Sequence, residues 1–411
     1  MSTHKSLRIR SDFPSGNGKD FQEIKPDHWT MELEGDFIYG PWYYVEFEEN
    51  AAEEREVELK ILGIPSTPDL LQAECPVIKV NEGEWQKLPQ ERVSIENTDK
   101  TGIFETPVLF FWEQGKKVPK DRKATHLLSN ICLKLHIPAN SRLRLATTYP
   151  YTYGHLLKWL NALSKGNGPL AKYIKVKSVG KSEEGRDIPV VILTNFKKKK
   201  KKRRIFITAR MHPCLEASGS WGTEKIVEFL LGGSRHSREL LNQFVFSIIP
   251  MVNVDGVHKG NPHYNARGVD IWIDFNGRKS KEAQEVFDFM INFKPEFYID
   301  LHGWLSHDKG RWPFDGAYID TIGVDSFDRD YYIRMIECLK NKIEGFASYA
   351  LYRFVVPESS IAVAYRELHA LGCVLEINPS FSSVYSVKKR TLNSFLGICD
   401  FLLQNPLPGG S

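Results

Sequence analysis

Two histidines and two glutamates stand where the chain's pattern sets them at the ends of strands. The apolar run 205–209 leads into Arg210-Met211-His212-Pro213-Cys214-Leu215-Glu216. The run 297–301 delivers His302 and then Gly303, and 373–375 delivers Glu376. In open α/β sheets, sites gather beyond the carboxyl ends of the strands, so these side chains are expected along one edge. Imidazole nitrogen and carboxylate oxygen are ligands that zinc accepts, and three protein ligands plus a water form the usual catalytic arrangement. A further carboxylate beside that water serves as general base. Each residue also has an ordinary reading: a histidine after a strand is commonly structural, and a glutamate opening a helix complements its dipole. Their coincidence at one edge argues for a site.

The elements that must carry these residues fall into two grammars. Up to about residue 146 the chain reads as short strands (37–39, 42–47, 57–62, 108–112, 131–136 and 142–146), rich in aromatic and β-branched residues and separated by turn formers. That spacing predicts an antiparallel sandwich. After Tyr149-Pro150-Tyr151-Thr152 apolar positions recur at helical spacing over 153–163, and strands then alternate with helices. Strands are predicted at 174–179, 188–194, 205–209, 244–251, 297–301 and 373–377, and helices at 220–231, 281–293, 328–346 and 388–403. Continuous apolar strands between amphipathic helices indicate a sheet covered on both faces. The expected fold is an N-terminal antiparallel β-sandwich (1–147) plus an α/β catalytic domain with a mixed, helix-covered sheet (148–406), and a flexible tail (407–411).

Composition narrows the function classes. Hydrophobic residues are 42% and charged residues 26% of the chain, which is ordinary for a water-soluble globular protein. No apolar run approaches the roughly 18 residues of a membrane span, and the first residues carry no signal-type stretch. The cysteines are dispersed, without a C-x-x-C pair, and most lie in apolar stretches, as expected of reduced thiols in the cytoplasm. The net charge of +4 is local, because the run Lys197 to Arg204 carries six lysines and two arginines and leaves the rest net acidic. That run reads first as a solvated hairpin tip and second as a steering patch for an acidic partner. Nucleic-acid readers, phosphate loops, nucleophile elbows and dinucleotide fingerprints find no match.

Taken together, Tyr149-Pro-Tyr-Thr-Tyr, Ala209-Arg-Met-His-Pro, Pro250-Met-Val-Asn-Val-Asp-Gly-Val, Asp300-Leu-His-Gly and the stretch from Ala362-Val-Ala-Tyr-Arg-Glu to Leu375-Glu376 make the chain resemble the zinc metallocarboxypeptidases, in their cytosolic carboxypeptidase branch. The resemblance implies one zinc ion on His212, Glu216 and His302, with Glu376 as catalytic base. Asp270 would orient the His212 ring, as a ligating imidazole requires of some acceptor.

Three departures bear on function. The family's H-x-x-E is H-x-x-x-E here; Trp221 follows Glu216 at the family's spacing, so the extra residue falls in the loop between His212 and Glu216. The rival register would put Leu215 in the ligand position. Second, the Asn-Arg pair that holds a substrate carboxylate is replaced by Trp272 and Ile273, which offer neither a charged fork nor amide donors. Trp272 is then either a core aromatic or the wall of a remodelled pocket. Third, the arginine that would stabilise an oxyanion is missing; His263 falls near its place and Arg267 follows, and either could polarise a carbonyl. Arg278, Arg311 and Arg366 are candidates for anchoring an acidic group, and Trp304, with Trp312, Phe314 and Tyr318, for lining a cleft. The expected function is zinc-dependent hydrolysis of an amide bond in a peptide or peptide-like substrate, with atypical specificity; the expected partner is a peptide or protein substrate, acidic ones among the candidates, with no nucleic acid and no membrane. A deglutamylase on acidic tails and a non-catalytic binding protein are the alternatives.

Overall fold

In the computed structural model the chain is described over residues 7–35, 40–65, 76–105, 111–113, 116–118, 123–165, 171–303, 316–318, 326–343, 347–348, 358–378 and 383–407. The strands are β1 Leu7–Arg10, β2 Lys19–Lys25, β3 His28–Glu32, β4 Tyr44–Glu49, β5 Arg55–Pro65, β6 Val77–Val80, β7 Gln86–Lys87, β8 Val93–Glu105, β9 Phe111–Glu113, β10 Lys116–Val118, β11 Lys123–Ile137 and β12 Ser141–Ala146. There follow β13 Ile174–Lys181, β14 Asp187–Leu193, β15 Arg203–Ala209, β16 Phe244–Ile249, β17 Phe297–His302, β18 Gly316–Tyr318, β19 Ala347–Ser348 and β20 Leu371–Glu376. The helices are α1 Tyr153–Lys165, α2 Ala217–Leu231, α3 Arg235–Gln243, α4 Val254–Lys259, α5 Ile271–Asp274, α6 Lys281–Phe293, α7 Ser326–Lys342, α8 Ser360–Leu368 and α9 Val384–Gln404.

The N-terminal strands form two five-stranded sheets, β1-β4-β12-β6-β7 and β2-β3-β5-β11-β8. Alternate residues of both, among them Val45, Phe47, Leu143 and Leu145 from the first and Leu59, Ile61, Leu133 and Leu135 from the second, share one apolar cluster. Pairing is antiparallel with one exception: β3 lies parallel to β5, so the sheets are not antiparallel throughout. The strand expected at 37–39 and the first part of that expected at 108–112 fall outside the described residues.

The second half is built on an eight-stranded mixed sheet, β13-β14-β16-β15-β17-β20-β18-β19. Its centre, β16, β15, β17 and β20, is parallel. Every residue of β17 and β20 is buried, which follows from cover on both faces. On one face α2 lies against Ala209 and Leu301, and a side chain at Gly222 would collide with Thr391, so α2 and α9 pack backbone-close. On the other, Phe206 meets Phe289 and Phe293 of α6. Helix α6 shows why such segments fold: Ser280 caps it by accepting from Ala283 N–H, Ala283, Val286, Phe287 and Met290 make one buried stripe, and Lys294 ends it in a left-handed turn at φ 53°. Expected helix limits hold within a few residues, while α3, α4, α5 and α8 had no counterpart among them. Leu407, assigned to the tail, packs partly buried against the second core.

A third cluster joins the halves. Trp42, Tyr44, Val77 and Ala146 of the N-terminal sheets close on Tyr149, Cys214 and Leu215. Cys132, Cys214, Cys338, Cys373 and Cys399 are free thiols. Among the described residues no helix is long and apolar enough to cross a membrane.

Candidate metal centre

Strand β15 ends at Ala209, and the chain turns through Arg210, whose φ of 63° is left-handed, to present His212. The loop is pinned from beneath: Val252 and Asn253 N–H donate to the Ala209 and Arg210 carbonyls, and Asn253 Nδ2 donates to Met211 O at 3.0 Å. Leu215 packs into the cluster between the halves, away from any ligand role. The next residue, Glu216, stands at the N-cap of α2 yet makes no capping bond with its side chain. Its carboxylate turns instead to two imidazoles. His212 Nδ1 lies 2.7 Å from Glu216 Oε1, and His302 Nδ1 lies 3.1 Å from it.

Both outer nitrogens also face carboxylates. His212 Nε2 is 3.4 Å from Asp270 Oδ1, and His302 Nε2 is 3.2 Å from Asp300 Oδ2. Asp300 is held in turn by the Thr208 hydroxyl on Oδ1 at 2.7 Å and the Ser360 hydroxyl on Oδ2 at 2.6 Å. Two residues apart on one strand, Asp300 and His302 share a face. Glu376 ends β20 beside His302, its register partner across the parallel pair. Gly303 lets the strands close: a Cβ there would stand 2.0 Å from Ser218 Oγ and 3.3 Å from the Glu216 Cα.

His212, Glu216 and His302, all buried, offer ligand atoms within 4.8 Å of one another and could hold a divalent ion. Two Nδ1 atoms and a carboxylate form a donor set that suits zinc, and each imidazole's second nitrogen faces a carboxylate within ion-pair distance. The charges are strongly coupled. Burial opposes protonation of His212, but Glu216 and Asp270 outweigh it and raise the imidazole to about 9. His302 is likewise raised, against burial, by Glu216 and Asp300. Burial works against ionising Glu216, yet the two imidazoles bring it to about 2. Asp270, against the same penalty, is pulled far below the usual range by His263 and His212.

The remaining sequence candidates divide. His263 comes into the cluster, with Nε2 2.9 Å from Asp270 Oδ2 and its ring stacked 4.0 Å from that of His212 at 22°. His212, His263 and Asp270 form a second set of close ligand atoms. His263 is held by Asp270, the carboxylate that also faces His212. Arg267 is not brought in: it lies exposed and pairs with Glu183 at 3.2 Å. Trp272 is mostly buried, with its ring edge-on to His212 and His302 at 6.2 and 5.8 Å. It belongs to the large apolar core of the second half and borders the cluster as well. Arg278 forks onto Glu367 at 3.1 and 3.3 Å, and Arg366 donates to Asn276 at 2.9 Å. Trp304, Arg311, Trp312 and Phe314 lie outside the described residues. Asp300 was missed, although its place two residues before His302 in a strand was a usable signal.

The Lys197–Arg204 run sits at the other end of β15. It links β14 to β15 across the start of β16, so it is no hairpin tip. Lys197 to Lys201 are exposed, while Lys202 Nζ is held by Thr194 Oγ1 at 2.8 Å and by the Asn195 and Leu241 carbonyls. Arg203 and Arg204 donate to the Leu402 and Lys294 carbonyls.

A buried pair of histidines and a carboxylate at the carboxyl edge of a mixed α/β sheet is an arrangement able to hold a divalent ion. Residues 156–316 match the family model described as zinc carboxypeptidase, and the chain carries that domain, with cytosolic carboxypeptidases as its homologues. Mouse cytosolic carboxypeptidase 6 is 26% identical over 307 residues, covering 71% of this chain and 52% of the relative. Cytosolic carboxypeptidase 1 of Xenopus laevis is 31% identical over 172 residues, which are 38% of this chain and 14% of that protein. The chain thus spans about half the length of the first of these relatives and much less of the second. Among solved structures, a metallo-carboxypeptidase from Burkholderia cenocepacia superposes with a TM-score of 0.74 at 18% identity, covering 97% of this chain and 99% of that one. One from Pseudomonas aeruginosa gives 0.70 at 16% identity, covering 97% and 99%. These likenesses show the fold.

Proposed function

We propose that the protein is a zinc-dependent hydrolase of amide bonds in a peptide or peptide-like substrate, with a specificity unlike that of a carboxypeptidase that grips a free C-terminal carboxylate. The observation that carries this reading is the convergence of His212 Nδ1 and His302 Nδ1 on the Glu216 carboxylate, with Asp270 and Asp300 behind the two rings. His212, Glu216 and His302 would hold one zinc ion, which when bound polarises a carbonyl and acidifies a water. Asp270 and Asp300 hold the two rings in the tautomer that leaves Nδ1 free to ligate. Glu376, alongside His302, accepts the proton of the attacking water and returns it to the leaving nitrogen. Trp272 narrows the site with an apolar wall where a carboxylate clamp would stand, so the favoured substrate end is uncharged, side-chain-linked or internal. We take 1–147 as a β-sandwich domain, 148–406 as the catalytic domain and 407–411 as a tail, in a protein of the cytoplasm.

The test is elemental analysis of the purified chain together with a screen of peptides bearing free or blocked C-termini. Stoichiometric zinc and chelator-sensitive cleavage of blocked peptides are expected; a protein without zinc and without turnover sinks the reading. One observation favours a second reading, a binding protein that kept the fold. With His263 held by Asp270 and Arg267 paired with Glu183, neither residue is aimed at a developing oxyanion. That reading predicts full zinc occupancy with no hydrolysis of any library member. The acidic-tail alternative draws nothing from the lysine run, which stands at the opposite edge of the sheet.

A further inference from the structure

Arg210 is an expensive residue. Its side chain is fully buried, it sits in a left-handed backbone conformation that costs a non-glycine residue strain, and it lies two residues before His212. Among the described residues its guanidinium makes one hydrogen bond, from Nη1 to the Tyr151 carbonyl at 3.3 Å, and its buried Nε has no partner. Among the described residues no carboxylate comes within ion-pair range of it. Glu216, the carboxylate that acts on it electrostatically, is already engaged by His212 and His302. A guanidinium cannot shed its proton to escape burial, and replacing a buried unpaired charge by an apolar group of similar volume commonly stabilises a fold. Strain and an unpaired charge persist together where a site uses them.

We propose that Arg210 is a positioning residue whose fixed positive charge sets the cation affinity of the His212–Glu216–His302 group, holding it below what three such donors would give. Around that group Glu216, Asp270, Asp300 and Glu376 gather four carboxylates, a field that would otherwise grip a divalent ion tightly enough to blunt its power to polarise a carbonyl. The guanidinium, anchored through Tyr151 on the segment joining the two halves, offsets part of that field. Arginine suits the task because it stays charged at every working pH.

The proposal rests on reading the group as a zinc site, and the experiment separates the two. The dissociation constant for Zn2+ is measured on the full-length protein by competition with a chromophoric chelator, for the parent chain, Arg210→Met, Arg210→Gln and Arg210→Lys, with circular dichroism to establish folding. The neutral variants are expected to bind zinc at least about tenfold more tightly, because a unit charge near a divalent ion in a poorly screened interior is worth that much or more. Arg210→Lys is expected within about threefold of the parent, since the charge is kept. The chelator-treated Arg210→Met protein should melt no lower than the chelator-treated parent. A folded neutral variant with unchanged or weaker zinc affinity overturns the proposal, as does Arg210→Lys tightening as much as Arg210→Met. Failure of the parent chain to take up zinc overturns the site itself. Met and Gln differ in hydrogen bonding to Tyr151, so folding of either one suffices.

Discussion

Strand β15 carries ionic groups at both of its ends and treats them in opposite ways. At its carboxyl end His212, Glu216, His302, Asp300 and Glu376 are buried and set against one another. At its amino end Lys197 to Lys201 stand in water. The strand has seven residues, so the two groups are separated by about 23 Å at ~3.3 Å per residue. That is beyond the ~8–10 Å over which exposed charges are felt in physiological salt. Buried charges interact strongly because little screens them, and they must be placed; exposed lysines of the same count are solvated and need no partner. Nearness in sequence is therefore no guide to nearness in chemistry.

The difference can be tested from its most consequential residue downward. Glu376→Gln is expected to lower turnover on the best substrate by about 10³-fold or more with zinc content unchanged, since it removes a base and no ligand. Retained turnover would take the general base elsewhere. Asp300→Asn should weaken zinc binding by roughly 10–100-fold, the usual cost of losing the acceptor behind a ligating imidazole. Equilibrium dialysis against a competing chelator measures it, and parity with the parent would make Asp300 purely structural.

A third test concerns a buried charge away from the cluster. Glu224 of α2 accepts from Tyr151 OH at 2.9 Å, His155 Nε2 at 3.0 Å and Lys388 Nζ at 2.7 Å. Burial would raise its pKa, but His155 and Lys388 bring it below the ordinary value of 4.5. A depressed carboxylate adds stability that is present above its unfolded pKa and lost as pH falls through the folded one. Glu224→Gln should therefore destabilise the protein by about 2 kcal/mol at pH 7 in urea unfolding, and by less at pH 4. An equal loss at both pH values would refute the ionic account. The smallest effect belongs to the lysine loop. Replacing Lys197 to Lys201 with glutamine should leave stability within about 0.5 kcal/mol and zinc affinity unchanged. A rise in KM for a glutamate-rich peptide, relieved by salt, would show the two ends of the strand acting together after all.

Much of this was legible in the sequence because strand ends are. The β15, β17 and β20 runs were apolar and uninterrupted, so the residues that follow them had to emerge at one edge, and His212, His302 and Glu376 did. Glu216 was harder, for the longer H-x-x-x-E spacing left Leu215 as a rival. Leu215 instead shares an apolar cluster with Trp42 and Tyr44 of a distant segment, a placement that no local pattern contains. The same holds for His263 and Arg267, four residues apart: one stacks under His212 and the other swings out to Glu183. Short helices such as α4 and α5 were unreadable because their caps, Asn253 and Asp270, are also engaged in holding the ligand loop and His212. The parallel β3–β5 pair escaped because strand propensity says nothing about direction.

The cluster that holds Leu215 and Cys214 against Trp42, Tyr44 and Val77 makes the N-terminal sheets a splint for the ligand loop. Cut away at residue 148, the second half would expose those side chains to water and leave the turn between His212 and Glu216 without its backing. The amino-terminal sheets would then govern whether a cation can be held on His212, Glu216 and His302 at all.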